Sequence, residues 1–200
     1  MSDMNEAFLV NNLIFVLVVI IVLAAGIISA KKTRKALSQL TAYLPGALSK
    51  FPFDPSYRGV YQGLNFVITL TQGGKNSPPY LRVLLMKKST FQLSLYKESL
   101  ISELGKKVGV VKEVKINDEV FDKDFFIFSN KPDKIISYFS NGEIKNTARE
   151  LFDVLGFNGL IINEQGLKAQ KVNYNLNIDL EPQRIINALQ KLSILARGCN

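Results

Sequence analysis

The sequence predicts an α+β protein, in which a single N-terminal transmembrane helix is followed by an antiparallel sheet with three or four packed helices. One uncharged apolar segment lies near the start, short runs rich in β-branched and aromatic residues fill the middle, and amphipathic helical patterns dominate the last third. A chain of 200 residues has room for one anchor and one domain with its own hydrophobic core. We therefore expect three regions: a tail and transmembrane helix at 1–30, a basic juxtamembrane helix and linker at 31–56, and a soluble α+β domain at 57–200.

The apolar segment runs from Ala7 to Ala30 and contains no charged residue. As a helix it would be about 36 Å long, and a hydrocarbon core is about 30 Å thick. A soluble helix of this length would have a polar face, which the segment lacks. A cleaved signal peptide begins with basic residues, whereas here Asp3 and Glu6 precede the segment and no Lys or Arg does. We expect an uncleaved membrane anchor.

Four basic residues follow the span at once, namely Lys31, Lys32, Arg34 and Lys35. Basic residues beside a span stay on the cytoplasmic side. The sequence therefore predicts a single-pass protein of the cell membrane, with its N-terminus outside and residues 31–200 in the cytoplasm. The same four side chains are our candidates for contact with lipid headgroups, because basic residues near the inner leaflet are attracted to anionic lipid.

The segment after the span continues as a helix, which Pro45 should end. Leu37, Leu40 and Leu44 recur at spacings of three and four and form a narrow apolar stripe. Two interpretations are equally open: an interfacial or self-associating stalk, or a solvated extension of the anchor helix. Residues 45–56, which are rich in proline, should connect this helix to the domain.

The first half of the domain is predicted to be mainly strands. Residues 57–71 indicate one strand interrupted by a bend at its glycines, and residues 80–86 and 90–96 indicate two strands joined in an antiparallel meander. A short helix at 98–107 and a strand at 108–116 should follow. Residues 119–129 form the densest apolar run, which predicts a central strand covered on both faces.

The second half is predicted to be mainly helical. One helix should start at Pro132, and a second should open at one of two capping boxes, Ser140 with Glu143 or Thr147 with Glu150, and end before Gly156. A hairpin should turn at 163–166. The last helix should run from Pro182 to Arg197, with its core stripe formed by Ile185, Ile186, Leu189, Leu192 and Leu195.

No motif in the sequence indicates catalysis, a metal or a cofactor. Histidine is absent, Gly73 to Lys75 lack the spacing of a phosphate loop, and the single cysteine, Cys199, has no activating partner nearby in the sequence. The only acidic cluster contains Asp118, Glu119, Asp122 and Asp124. Alternation along a strand would place Glu119 opposite Asp122 and Asp124, so we expect a solvated strand entrance rather than a cation site.

The formal net charge of +8 is concentrated in part directly after the span. The remaining basic residues, such as Lys87, Lys88, Lys106 and Lys107, are scattered without interleaved aromatic residues, which argues against a nucleic-acid partner. Attraction to the membrane surface explains the excess more simply.

The domain resembles a family of uncharacterised bacterial membrane-anchored proteins that carry a C-terminal domain of unknown function. The resemblance covers roughly residues 57–195 and rests on Tyr57, Gly59, Gly63, Phe121, Phe125, Ile127, Ser129 and Pro132. It implies an architecture and transfers no activity. From the residues we expect a non-enzymatic, cytoplasm-facing domain that binds membrane lipid, a protein partner or a second copy of the chain. The alternative is a membrane-associated enzyme whose site combines distant residues, such as the carboxylates around Asp122 with a lysine.

Overall fold

The computed structural model describes residues 2–49, 55–73, 78–97 and 113–199, with side chains from Asn12 onward. The predicted helix at 98–107 and most of the predicted strand at 108–116 lie outside these residues. The described helices are α1 (Ser2–Ser38), α2 (Glu119–Asp124), α3 (Pro132–Ser140), α4 (Gly142–Asp153), α5 (Leu176–Asp179) and α6 (Pro182–Arg197), and a 3-10 turn at Gln39–Ala42 extends α1. The described strands are β1 (Gly46–Leu48), β2 (Ser56–Tyr61), β3 (Leu64–Thr71), β4 (Tyr80–Leu85), β5 (Leu93–Lys97), β6 (Phe125–Ser129), β7 (Gly159–Asn163) and β8 (Gly166–Val172).

All eight strands join one antiparallel sheet in the order β1-β2-β3-β4-β8-β7-β5-β6. Together with the N-terminal apolar helix and the packed helices, this sheet confirms the predicted α+β fold class. Alternate strand residues are buried, as Phe66, Ile68 and Leu70 are in β3, while the residues between them are partly exposed. The described helices therefore cover one face of the sheet, and we call the other side the open face.

The end of α1 is part of the domain core. Leu37 and Leu40 have no exposed surface, Leu44 is buried, and all three belong to the same apolar cluster as Tyr57 and Phe66 of the sheet. The sequence offered a stalk or a solvated helix for this stripe, and both interpretations are wrong. The apolar stripe is narrow because only one side of this helical segment packs against the sheet. Part of the predicted linker is also ordered, since β1 pairs with β2.

The predicted interrupted strand at 57–71 is a hairpin formed by β2 and β3. Gln62 and Gly63 have φ values of 49° and 79°, the left-handed pair that a two-residue turn between antiparallel strands requires. A Gln at the first turn position is a weak signal, because Asn or Asp usually stands there.

The predicted meander of β4 and β5 is also wrong. β4 pairs with β3 and β8, and β5 pairs with β6 and β7, so the C-terminal hairpin lies between them. Short connections favour neighbouring strands, but they do not require them when a later hairpin offers a better apolar edge.

The segment at 119–129 contains α2 and an edge strand instead of one central strand. Asp118 caps α2, because its carboxylate accepts the backbone N–H of Phe121 at 3.0 Å. The apolar run that follows forms β6, in which Phe126 and Phe128 point to the open face and are only partly buried.

The helices of the second half follow the sequence more closely. α3 starts at Pro132 and α6 spans Pro182 to Arg197, as expected. The cap of α4 differs, because Asn141 supplies it by accepting the N–H groups of Glu143 and Ile144. Thr147 and Glu150 lie inside α4, so neither capping box opens it.

Candidate functional site

The N-terminal helix is long and apolar enough to cross a membrane, and the described residues contain one such helix. Its large apolar side chains from Leu13 to Leu23, with Ile27 and Ile28, are exposed on the protein itself. Burial begins only at Ser29 and Ala30 and is complete at Thr33. The apolar surface therefore ends at the turn where the domain first contacts the helix.

The four basic residues lie in this boundary turn. Lys31, Lys32 and Lys35 are exposed, as headgroup contact would require. Arg34 is half-buried, and its guanidinium donates a hydrogen bond of 3.1 Å to the carbonyl of Ser49. Arg34 thus has a structural contact that the sequence did not indicate, and the headgroup contact of all four stays a prediction.

In the loops after β3 and β8, the described residues Gln72, Gly73, Pro79, Tyr174 and Asn175 lie beside α1. The amide of Gln72 donates a hydrogen bond to the hydroxyl of Ser29. Between the loops and the helix lies a cavity of about 440 Å³, lined by Ser29, Lys32, Thr33, Gln72, Gly73, Pro79, Tyr174, Asn175 and Leu176. None of these described lining residues is acidic. Burial raises the pKa of one of them, Tyr174, above its usual value of 10.

A second cavity adjoins the first, since Thr33 and Gln72 line both. Its volume is about 320 Å³ and its wall is slightly more apolar than polar, with Gly26, Ala30, Pro55, Leu70 and Thr71 as the other described residues. We call the two together the membrane-proximal cavities. Sequence reasoning missed Gln72 and Tyr174 because both stand in loops far from the span along the chain.

The open face of the sheet combines apolar, aromatic and basic side chains. Cross-strand register aligns Val67, Leu84, Lys168 and Ile161 in one row. The adjacent row runs through Thr69, Arg82, Gln170, Gly159, Tyr96 and Phe126. Among the described strand residues on this face, from β3 to β6 across the sheet, none is acidic.

Two cations lie close together on the open face. Arg82 donates to the side-chain oxygen of Gln170 at 3.1 Å and lies 5.0 Å from the ring centre of Tyr80. Partial burial and the nearby Arg82 lower the pKa of Lys168. The sequence did not single out either residue, because the strand pairing that brings them together was not foreseen.

The acidic cluster does not converge on one point. Asp118 caps α2 and pairs with Lys145, and the hydrogen bond from Lys145 is the main reason that the pKa of Asp118 is lowered. Asp122 accepts the backbone N–H groups of Ile116 and Asp118, while Glu119 and Asp124 are exposed. Among the described residues, no group of three or more His, Cys, Asp or Glu side chains is placed to hold a metal ion.

Cys199 is fully buried, and its thiol lies 3.5 Å from the carbonyl of Leu195. Burial raises the pKa of this thiol to about 11. A thiol with that pKa is almost entirely protonated near neutrality and is a poor nucleophile.

No protein-family model matches this chain, and no curated protein matches it. Among solved structures, the fold is similar to that in the "crystal structure of the mycobacterial trehalose monomycolate transport factor A, TtfA", with a TM-score of 0.53 and 8% sequence identity. The match covers 84% of this chain and 93% of that one. At this identity the likeness shows the fold alone. An α+β protein with an N-terminal helix long and apolar enough to span a membrane is thus the class that the helix and the sheet define.

Proposed function

We propose that this chain is a single-pass membrane protein whose α+β domain serves as a non-catalytic binding platform for a protein partner on the cytoplasmic side. The continuity of α1 carries the proposal, because one helix leads from the exposed apolar stretch into the core cluster at Leu37. Helical connections are stiffer than flexible linkers. The domain is therefore held at a fixed height and orientation above the membrane, which suits a platform.

The cytoplasmic side is proposed from the exposed lysines. Lys31, Lys32 and Lys35 stand where the apolar surface ends, and positive charge at that position favours retention in the cytoplasm. A domain on that side would face the leaflet that attracts basic residues most strongly.

The chemistry of the partner follows from the open face. Protein interfaces are enriched in aromatic residues and arginine, both of which this face presents through Tyr96, Phe126 and Arg82. Because Arg82 and Lys168 have no acidic neighbour among the described strand residues of the face, an acidic surface with apolar residues would complement it. The structurally similar protein is a trehalose monomycolate transport factor, and a non-catalytic binding platform is compatible with such a supporting role.

The proposed absence of catalysis rests on the environments of three candidate catalytic residues. Asp118 and Asp122 accept backbone N–H groups, and Cys199 is buried with a raised pKa. None of the three faces either membrane-proximal cavity. The carboxylates that an acid–base enzyme would use thus have a structural task already.

Site-specific photocrosslinking in native membranes tests the platform. A photoreactive residue at Leu84 or Ile161 should yield one discrete protein adduct, whereas the same residue at the exposed Gln190 of α6 should not. Reversing both charges, with Arg82→Glu and Lys168→Glu, should remove the adduct. An adduct that forms equally at Gln190, or persists after charge reversal, would contradict the proposal.

A further inference from the structure

We infer that the membrane-proximal cavities hold one anionic glycerophospholipid from the bilayer around α1, with its phosphate headgroup in the larger cavity and the upper part of an acyl chain in the smaller one. The inference rests on the membrane anchoring in the proposed function and is independent of the protein partner. It assigns one defined lipid-binding site, in addition to the general attraction between anionic headgroups and the exposed lysines Lys31, Lys32 and Lys35.

The position of the larger cavity matches the headgroup layer. The exposed apolar side chains of α1 extend to Ile28, and Ser29 and Lys32 line the cavity on the next turn. These residues rise along the helix by only about 1.5 Å each. The headgroup region extends roughly 5–7 Å beyond the hydrocarbon core on each side. A lipid that surrounds α1 therefore has its headgroup beside this cavity without leaving the bilayer.

The lining of the larger cavity suits a phosphate ester. Lys32 supplies a positive charge, and Ser29, Asn175 and Tyr174 are residues with hydroxyl or amide donors. No described lining residue supplies a carboxylate that would repel an anion. Tyrosine is also a preferred residue at the membrane interface, where its ring meets acyl chains and its hydroxyl meets water.

The smaller cavity and the exposed side chain of Ile178 suit the apolar part of the same lipid. Gly26, Ala30 and Leu70 line the smaller cavity, which adjoins the larger one through Thr33 and Gln72. Ile178 in α5, two residues after the lining residue Leu176, leaves 54% of its surface exposed, and α5 lies against α1. Volumes of about 440 and 320 Å³ are within the usual size of ligand sites, about 300–1,000 Å³.

Native mass spectrometry of the full-length chain in detergent tests the site, with phosphatidylglycerol as the added lipid. Lys32→Gln should lower the ratio of lipid-bound to free chain about five-fold, the change that the loss of one hydrogen bond to the bound headgroup makes. Lys31→Gln is the matched control, since Lys31 is also exposed but does not line the cavity, and it should change the ratio by at most about two-fold. Phosphatidylcholine should bind more weakly than phosphatidylglycerol, and inorganic phosphate should not displace the lipid.

Equal losses in the two lysine variants would show general headgroup attraction and would overturn the site. Equal binding of the two lipids, or displacement by inorganic phosphate, would overturn it as well. Carbonate extraction of membranes that carry the same variants separates this failure from a failure of anchoring. A chain that stays in the membrane but binds no lipid in the assay contradicts only the lipid site, whereas a chain released by carbonate contradicts the anchoring too.

Discussion

The phenol of Tyr57 in β2 donates a hydrogen bond of 2.6 Å to the backbone carbonyl of Leu44, just beyond the last turn of the N-terminal helix. Tyr57 has no exposed surface, and its ring centre lies 6.0 Å from that of Phe66. A buried backbone carbonyl needs a hydrogen-bond partner. Tyr57 supplies one for Leu44, and the bond ties the segment after α1 to the sheet.

Tyr57→Phe should therefore reduce the free energy of unfolding by about 1–3 kcal/mol, because it leaves the buried carbonyl of Leu44 without its partner. Chemical denaturation of the full chain in detergent measures the change. Tyr43→Phe is the control, since Tyr43 is exposed and its replacement should alter stability by less than about 0.5 kcal/mol. Equal effects from both variants would mean that the bond to Leu44 does not stabilise the domain.

Leu40→Ala tests whether the end of α1 is core. Leu40 has no exposed surface, so its truncation should cost about 2–5 kcal/mol of domain stability. Gln39→Ala, at the exposed neighbouring position, should be nearly neutral. Equal stability of the Leu40→Ala and Gln39→Ala variants would contradict the core position of Leu40 and would support a solvated helix.

Asp179 in α5 forms a buried ion pair with Lys171 in β8, at 2.7 Å, and accepts the backbone N–H of Asn175 at 2.8 Å. Asp179→Asn should destabilise the domain by about 3–5 kcal/mol, because it leaves Lys171 with an uncompensated, partly buried charge. Asp153→Asn removes the more exposed pair with Lys97 and should cost no more than about 1 kcal/mol. Thermal melting of both variants compares them directly, and a smaller effect at Asp179 would rule out this structural role.

Cys199 should be inert in the folded protein. Its thiol is buried with a pKa of about 11, so at pH 8 the thiolate that reacts with iodoacetamide is roughly a hundred times scarcer than in an exposed cysteine. Alkylation should become fast only in denaturant. A Cys199→Ala, Ser140→Cys variant supplies an exposed thiol for comparison, and equal rates in the two folded proteins would contradict the buried environment.

Periodic elements were predictable from the sequence, and contacts between distant elements were not. α6 matches its prediction because its apolar positions recur with the helical period between Pro182 and Gly198. β4 and β5 were paired wrongly because nothing near Lys87 shows that β8 forms the neighbouring strand. Local patterns report which face of an element is apolar, but not which partner covers that face.

The same limit applies to the candidate site. Lys31 and Lys32 were identified because they follow the span directly. Gln72 and Tyr174 were missed, since only the folded sheet brings their loops to α1. The sequence predicts a strand for the acidic cluster because the dense apolar run at 125–128 follows it directly, whereas in the structure Asp118 caps a short helix there.

Cysteine labelling with a membrane-impermeant maleimide tests the central claim, that a single anchor holds the domain at the cytoplasmic face. In a Cys199→Ala background, a cysteine at Ser2 should react in intact spheroplasts, because the proposed topology places the N-terminus outside. A cysteine at Ser140, which is exposed on the domain, should react only after the membrane is permeabilised. Labelling at Ser140 in intact spheroplasts, at the rate seen for Ser2, would contradict the account.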